Sequence, residues 1–247
     1  MGWPDTEAEW RVIHEAALVF GVRQGGELVG QGALGLYEGA GSIAKMVVLP
    51  SVRRQGIGAK ILDRILGEAE RRGLSALGLV ATPLGRPLYE SRGFVPVGDV
   101  VITMGTAQLT ELSSTLSQAS DAEPLLAIER RFMAGSRTNM LCGRLREACA
   151  SALAPDGFAL ATAHDTGARI GPIVADGEET ARLLASTLFQ RLNGPVRLDV
   201  PGGQSAFRDW LLSLGLVEKG VHVEMARGGT LPWHVPERFC LATQAWG

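Results

Sequence analysis

Apolar and polar positions change their period several times along this chain. From Asp5 to Ala16, Trp10, Ile13 and His14 share one face with Ala17, which predicts an amphipathic helix. Runs at Ala17–Arg23, Glu27–Tyr37 and Ser42–Leu49 read as strands, with turns at Gly25-Gly26 and Gly39–Gly41. Connections this short predict antiparallel neighbours. A helix is expected from Gly56 to Arg72, with Leu62, Ile65, Leu66 and Ala69 as its buried stripe and Gly73 ending it. Ala76–Ala81 is almost wholly apolar, as a strand covered on both faces should be. A short helix over Leu84–Arg92, stopped by Gly93, leads into a strand at Phe94–Met104.

Thr106–Ser120 is rich in Ser, Thr and Gln and reads as a linker. Helices follow at Pro124–Met133 and Asn139–Ser151, then strands at Phe158–His164 and Ile170–Val174. Asp176, with Glu179 three residues later, has the form of a capping box opening a helix to Leu192. Strand Val196–Val200, helix Gln204–Leu214 and strand Leu216–Met225 complete the pattern, and the tail from Gly228 to Gly247 has no period. The segment Leu88–Val95 and its following strand, ending at Met104, match Asp209–Val217 and its following strand, ending at Met225. Gly93 aligns with Gly215, and an apolar strand precedes each helix, so the chain reads as a duplicated α/β unit.

Composition agrees with two ordinary domains. The chain has 247 residues, 46% hydrophobic and 20% charged. A net charge of -2 gives no field for nucleic acid or an anionic membrane. Cys142, Cys149 and Cys240 have no metal-ligand or disulfide spacing, which suits a reduced cytoplasm and no metal. The acidic start does not read as a secretory signal, and no apolar run is long enough for a membrane helix.

The chemistry concentrates in Val47–Lys60, VVLPSVRRQGIGAK. A strand ends at Leu49-Pro50, a basic turn carries Arg53 and Arg54, and Gly56-Ile-Gly58 opens a helix. Glycines let a backbone approach an anion, and a helix N-terminus offers unpaired N–H groups and positive dipole. Pyrophosphate recognition fits these features, whereas an ordinary strand-to-helix turn would not need the arginines. Other phosphate motifs fit poorly: Ile61 stands where a dinucleotide fingerprint needs its third glycine, and Lys60 is not followed by Ser or Thr as in a Walker loop.

Arg53-x-x-Gly56-x-Gly58 after a Val-x-Pro strand end resembles the acetyl-CoA signature of the GNAT superfamily. Pro87–Phe94, PLYESRGF, resembles that family's second signature, about thirty residues on. Ile170–Asp176 and Gly194–Val200 resemble the C-terminal half of a bacterial tandem-GNAT subgroup. The resemblance implies two tandem domains, each a mixed, mostly antiparallel sheet flanked by helices, at 1–107 and 123–247 with a linker at 108–122. It implies an N-acetyltransferase acting on a small-molecule amine or peptide, with no nucleic acid or membrane partner, as a monomer or homodimer in the cytoplasm. Acetyl-CoA would be held by backbone groups of Met46, Val47 and Val48 along its pantetheine arm. Arg53, Arg54, Gln55, Gly56, Ile57, Gly58, Ala59 and Lys60 would surround its pyrophosphate. Tyr89 would protonate the departing thiolate, and no cysteine would be needed as a nucleophile.

Two features depart from the family. A strand and a helix should precede Asp5–Ala16, and a carboxylate base should stand in the region that here reads Gly41–Ala44. Glu38 or His14, acting through water, are substitutes the sequence offers, unless the amine arrives already neutral. The second unit has Asp176, Glu178 and Glu179 where the first has its basic turn, and Leu211 where the first has Tyr89, so it should bind no acetyl-CoA. A non-catalytic acyl-CoA-binding module is the rival reading, and a generic nucleotide-binding α/β protein the third.

Overall fold

The structure, a computed structural model, describes residues 6–109, 116–135 and 137–246. The expected helix start at Asp5 and the middle of the linker lie outside them. Thr6 caps the first helix, α1 (Glu7–Ala16), its Oγ1 accepting the Glu9 N–H at 3.3 Å. The buried stripe is Glu9, Val12, Ile13 and Ala16, one step round from the face expected, and it leaves His14 exposed. The chain then forms β1 (Ala17–Gln24), β2 (Glu27–Leu36) and β3 (Ala40–Val48), an antiparallel meander. A turn at Pro50–Val52 leads to α2 (Ile57–Arg71), β4 (Ala76–Ala81), α3 (Arg86–Glu90) and β5 (Val95–Gly105). α2 buries Ile57, Ile61, Leu62, Ile65 and Ala69. Each of its larger side chains contributes about 1.5–3 kcal/mol through apolar burial.

The second half repeats this order with one extra helix in front. Its elements are α4 (Glu123–Phe132), α5 (Thr138–Arg146), β6 (Ala148–Ala154), β7 (Gly157–His164) and β8 (Gly167–Ala175). These are followed by α6 (Glu178–Arg191), β9 (Val196–Pro201), α7 (Ser205–Ser213), β10 (Val217–Gly228) and β11 (Arg238–Cys240). Two expectations are corrected. The helix predicted to Ser151 stops at Arg146, and Ala148–Ala154 is a strand paired with β7. Its alanines favour helix as isolated residues, but their size lets α6 pack closely on a strand here. The capping box at Asp176 does not form: Gly177 is the N-cap of α6 without a side-chain bond, and Asp156 accepts from the Asp176 N–H and from Thr180 Oγ1.

Ten of the strands follow one another in a single sheet, in the order β1-β2-β3-β4-β10-β5-β9-β8-β7-β6, and β11 pairs with β8. The closing strands are exchanged between the halves. β10 lies antiparallel to β4, β5 lies antiparallel to β9, and β5 and β10 pair with each other at the centre. The C-terminal half therefore completes the sheet of the N-terminal half, and the reverse. The first strand that the family pattern calls for has no counterpart among the described residues, where β1 forms one edge. At the other edge a single bridge joins Ser117 to Leu153 of β6.

One face of the first-half sheet carries α2 and α3, with Leu34, Ile43, Leu77, Leu79 and Met225 beneath them. The opposite face carries α1, α4 and α5 together with Leu231, Trp233 and Trp246 of the tail. Buried ion pairs tie this second face together. Arg144 meets Glu9 at 3.0 Å, Arg137 meets Glu129, and Arg238 grips Glu224 with two bonds of 3.0 and 2.8 Å.

Candidate active site

The site grows from a divergence between two strands. β3 and β4 are parallel, and only Ala40–Ser42 and Ala76–Gly78 pair before the strands separate. Beyond that point β3 is held by β2 alone, through Val47 with Gln31 and Val48 with Gly30. A bulge sets Lys45 and Met46 against the single residue Gly32. Lys45 has φ 52°, and its Nζ lies 5.7 Å from the centre of the Trp10 ring. The edge of β3 through Met46–Val48 thus faces a slot that widens towards the start of α2.

At that end, Arg54 has φ 65° and Gly56 has φ 76°. Left-handed backbone at both positions folds the turn tightly ahead of α2, the kind of backbone from which anion-binding nests are built. Gly56 is the N-cap of α2, where any other residue would be strained. The first turn of α2 has no side-chain cap and no acidic residue. The Lys60 backbone N–H donates to the Gly56 carbonyl at 3.0 Å, so the N–H groups of Ile57, Gly58 and Ala59 stand ahead of the first helical bond. Arg53 Nε donates to the Val48 carbonyl at 3.1 Å, which ties the turn to the strand end. A Cβ at Gly58 would lie 3.5 Å from Leu88 and 3.7 Å from Val48, so α3 packs directly over the turn. Uncapped donors, positive dipole and exposed Arg53, Arg54 and Lys60 fit a pyrophosphate.

Tyr89, next to Leu88 on α3, is 7% exposed and meets Phe94 edge-on at 6.1 Å. Burial pushes its hydroxyl up to about 12, with no charged neighbour contributing. It is therefore a neutral proton donor throughout the ordinary pH range.

The substitute bases separate. Glu38 sits in the β2–β3 turn against Gly135, at the far end of β3. The eight residues from Glu38 to Met46 span roughly 25 Å of extended chain, out of reach of the slot. His14 is exposed and its ring is 6.3 Å from Trp10, on the side of the Lys45 bulge. A polar chain that the sequence did not single out, His222–Gln244–Asp199, starts on β10 just beyond the end of β4. Its members are far apart in sequence, and only the strand exchange and the aperiodic tail bring them together. Among the described residues no group of three His, Cys, Asp or Glu could hold a metal. No helix among them is long and apolar enough to cross a membrane.

The equivalent slot of the second half is filled by the chain itself. β8 and β9 pair at Ala168–Ile170 and Val196–Leu198 and then diverge. β11 enters the gap, with Cys240 opposite Ile173 and Arg238 opposite Val174, and the Leu241 N–H bonds the Asp199 carbonyl at 2.9 Å. The fit is close: a Cβ on Gly171 would lie 1.9 Å from the Leu241 carbonyl oxygen. Glu178 and Glu179 stand at the N-terminus of α6, and Leu211 is buried at the position matching Tyr89.

Comparison with known proteins agrees with this geometry. A family model described as an acetyltransferase (GNAT) domain matches residues 4–109, and a second model of the same description matches residues 126–237. YitH of Bacillus subtilis, named an uncharacterized N-acetyltransferase, is 27% identical over 229 residues, covering 87% of this chain and 80% of that one. In fold, the chain resembles a protein described as a candidate acetyltransferase from Pyrococcus horikoshii, with a TM-score of 0.85 at 21% identity, over 98% of this chain and 83% of the other. It also resembles a tandem GNAT protein from the clavulanic acid biosynthesis pathway, with a TM-score of 0.57 at 15% identity, over 87% and 84% of the two chains. The chain belongs to the GNAT acetyltransferases and carries two such domains in tandem.

Proposed function

We propose that this enzyme moves an acetyl group from acetyl-CoA to a primary amine by direct attack, using the β3–β4 slot alone. The observation that carries this reading is a strand edge without a sheet neighbour, Met46–Val48, running straight into an uncapped helix N-terminus at Gly56. N–H groups from Gln55 to Lys60 hold the pyrophosphate, and Arg53, Arg54 and Lys60 add charge around it. Backbone groups of Met46, Val47 and Val48 hold the pantetheine arm in the manner of a further strand. Bound acetyl-CoA supplies a thioester carbonyl open to an amine. Tyr89 gives its phenolic proton to the leaving sulfur, a role open to it because burial keeps it neutral. No side chain of the enzyme becomes acetylated. The acceptor is a small-molecule amine or a peptide N-terminus, admitted from the α1 face.

Titration calorimetry with acetyl-CoA tests the site. The expected result is saturable binding of one acetyl-CoA per chain, weakened at least tenfold by Arg54→Ala/Gly56→Asp, which removes a positive charge and sets a carboxylate in the cradle. Absence of binding by the native protein, or unchanged binding by the double variant, overturns the assignment. Release of CoA thiol with spermidine, tyramine and a peptide bearing an N-terminal alanine then separates acceptor classes.

A further inference from the structure

We propose that His222 takes the proton from the incoming amine, and that Gln244 and Asp199 hold it in the tautomer able to do so. This rests on the β3–β4 slot being the site of transfer. Val223 pairs with Ala81, the last residue of β4, so His222 stands one residue further on, beside the end of β4 where the slot opens. On β10, Met225 packs into the core under α2, whereas Ala226 packs into the core of the α1 face. Alternation along the strand turns His222 to the α1 face with Glu224 and Ala226. Tyr89 lies in the core of the other face. Proton acceptor and proton donor therefore stand on opposite sides of the sheet, so the two proton transfers use separate groups that do not compete for one position.

The hydrogen bonds select the tautomer. Asp199 is 1% exposed and accepts from Arg197 at 2.9 Å. A carboxylate only accepts, so the amide nitrogen of Gln244, 3.4 Å from Asp199 Oδ1, must be the end that faces it. The amide oxygen then faces His222, 2.7 Å from Nδ1. Nδ1 is consequently the donor, and the Nε2 lone pair is left basic on the half-buried outer side of the ring. Asp199 and Arg197 lie behind Gln244 on β9, and on β10 Glu224, two residues along, is gripped by Arg238 and lies 3.8 Å from His234 Nδ1. From β5, the residue opposite His222 is Val100.

In the step, the amine nitrogen lone pair forms the new C–N bond and the C–S pair leaves on sulfur. The N–H proton passes to His222 Nε2, and the Tyr89 hydroxyl proton passes to the sulfur. Imidazolium and phenolate then return to their starting states by proton exchange with water. His222 acts on the amine directly or through one water, and Gln244 and Asp199 are positioning residues.

Two readouts test this. In long-range 1H–15N spectra of the native protein without acceptor, His222 should carry its proton on Nδ1, and Gln244→Leu should abolish that preference. With whichever of spermidine, tyramine or the alanine peptide is turned over, His222→Gln should lower kcat on the order of a hundredfold and remove the acid limb of the pH–rate profile. The affinity for acetyl-CoA should not change. His14→Ala should leave kcat and the limb intact. A proton on Nε2 in the native protein overturns the proposal without any acceptor being needed. So does a His222→Gln enzyme that keeps the native limb, or a His14→Ala enzyme that loses it. Failure of acetyl-CoA to bind at all would instead sink the slot assignment, and calorimetry reads that separately.

Discussion

At the scale of single residues, burial does most of the chemical tuning. Tyr89 has no ionic partner, so desolvation alone sets its acidity, and its proton is retained up to about pH 12. Two outcomes follow for Tyr89→Phe. The variant should lose roughly a hundredfold or more in kcat while its affinity for acetyl-CoA stays constant. The native enzyme should also keep its acid function at pH 10, where an exposed tyrosine would be half ionised. The linkage has a definite sign: between pH 10 and 12 the unfolded chain releases a proton that the folded one keeps, so this group lowers stability as pH rises through that window. Rate measurements and denaturant titrations across pH 8–11 check both. Tyr89 and the Gly56 turn could be proposed from the sequence because each lies inside a short local motif. Glu38 stayed an open alternative in the sequence because proximity to β3 says nothing about which end of the strand carries the slot. His222 was passed over because its partners, Gln244 and Asp199, come from an aperiodic tail and a different strand.

At the scale of elements, periodicity read the helices well wherever one face is apolar, as in α2, and read β4 from its unbroken apolar run. It failed at β6, where alanine and serine carry no strand signal and the environment decides. It also gave no hint of β11, a three-residue strand whose partner in β8 is more than sixty residues earlier. That small strand gives a reason, beyond charge, to expect no acetyl-CoA in the second unit. Replacing Glu178 and Glu179 by Gln removes the repulsion at the start of α6, yet β11 still fills the space a pantetheine arm would need. The expected stoichiometry of the Glu178→Gln/Glu179→Gln variant is therefore still one acetyl-CoA per chain. Calorimetry giving two would show that charge alone had closed the second slot.

At the scale of the whole molecule, neither half has a complete sheet of its own. β4 finds its neighbour in β10, β9 finds its neighbour in β5, and α1 joins α4 and α5 over one shared core. The sequence displayed the repeat but not the exchange, because a strand's residues specify which face is buried and not which half supplies the adjoining edge. Residues 1–109 expressed alone should lack a stable fold, and the full chain should unfold in one transition rather than two. Circular dichroism of the fragment and calorimetric scanning of the full chain test this. A well-folded fragment would mean that β5 can pair with β4 when β10 is missing.

The exchange also sets a timetable. A ribosome makes about 5–20 residues each second, and roughly 140 residues separate Ala81 from its partner Val223. For on the order of ten seconds the nascent protein must hold β4 with one side bare, an invitation to mispairing with β5 or with a neighbouring nascent chain. Only when β10 emerges can β4, which lines the slot on one side, gain a neighbour along its other edge, so the slot is braced late in synthesis.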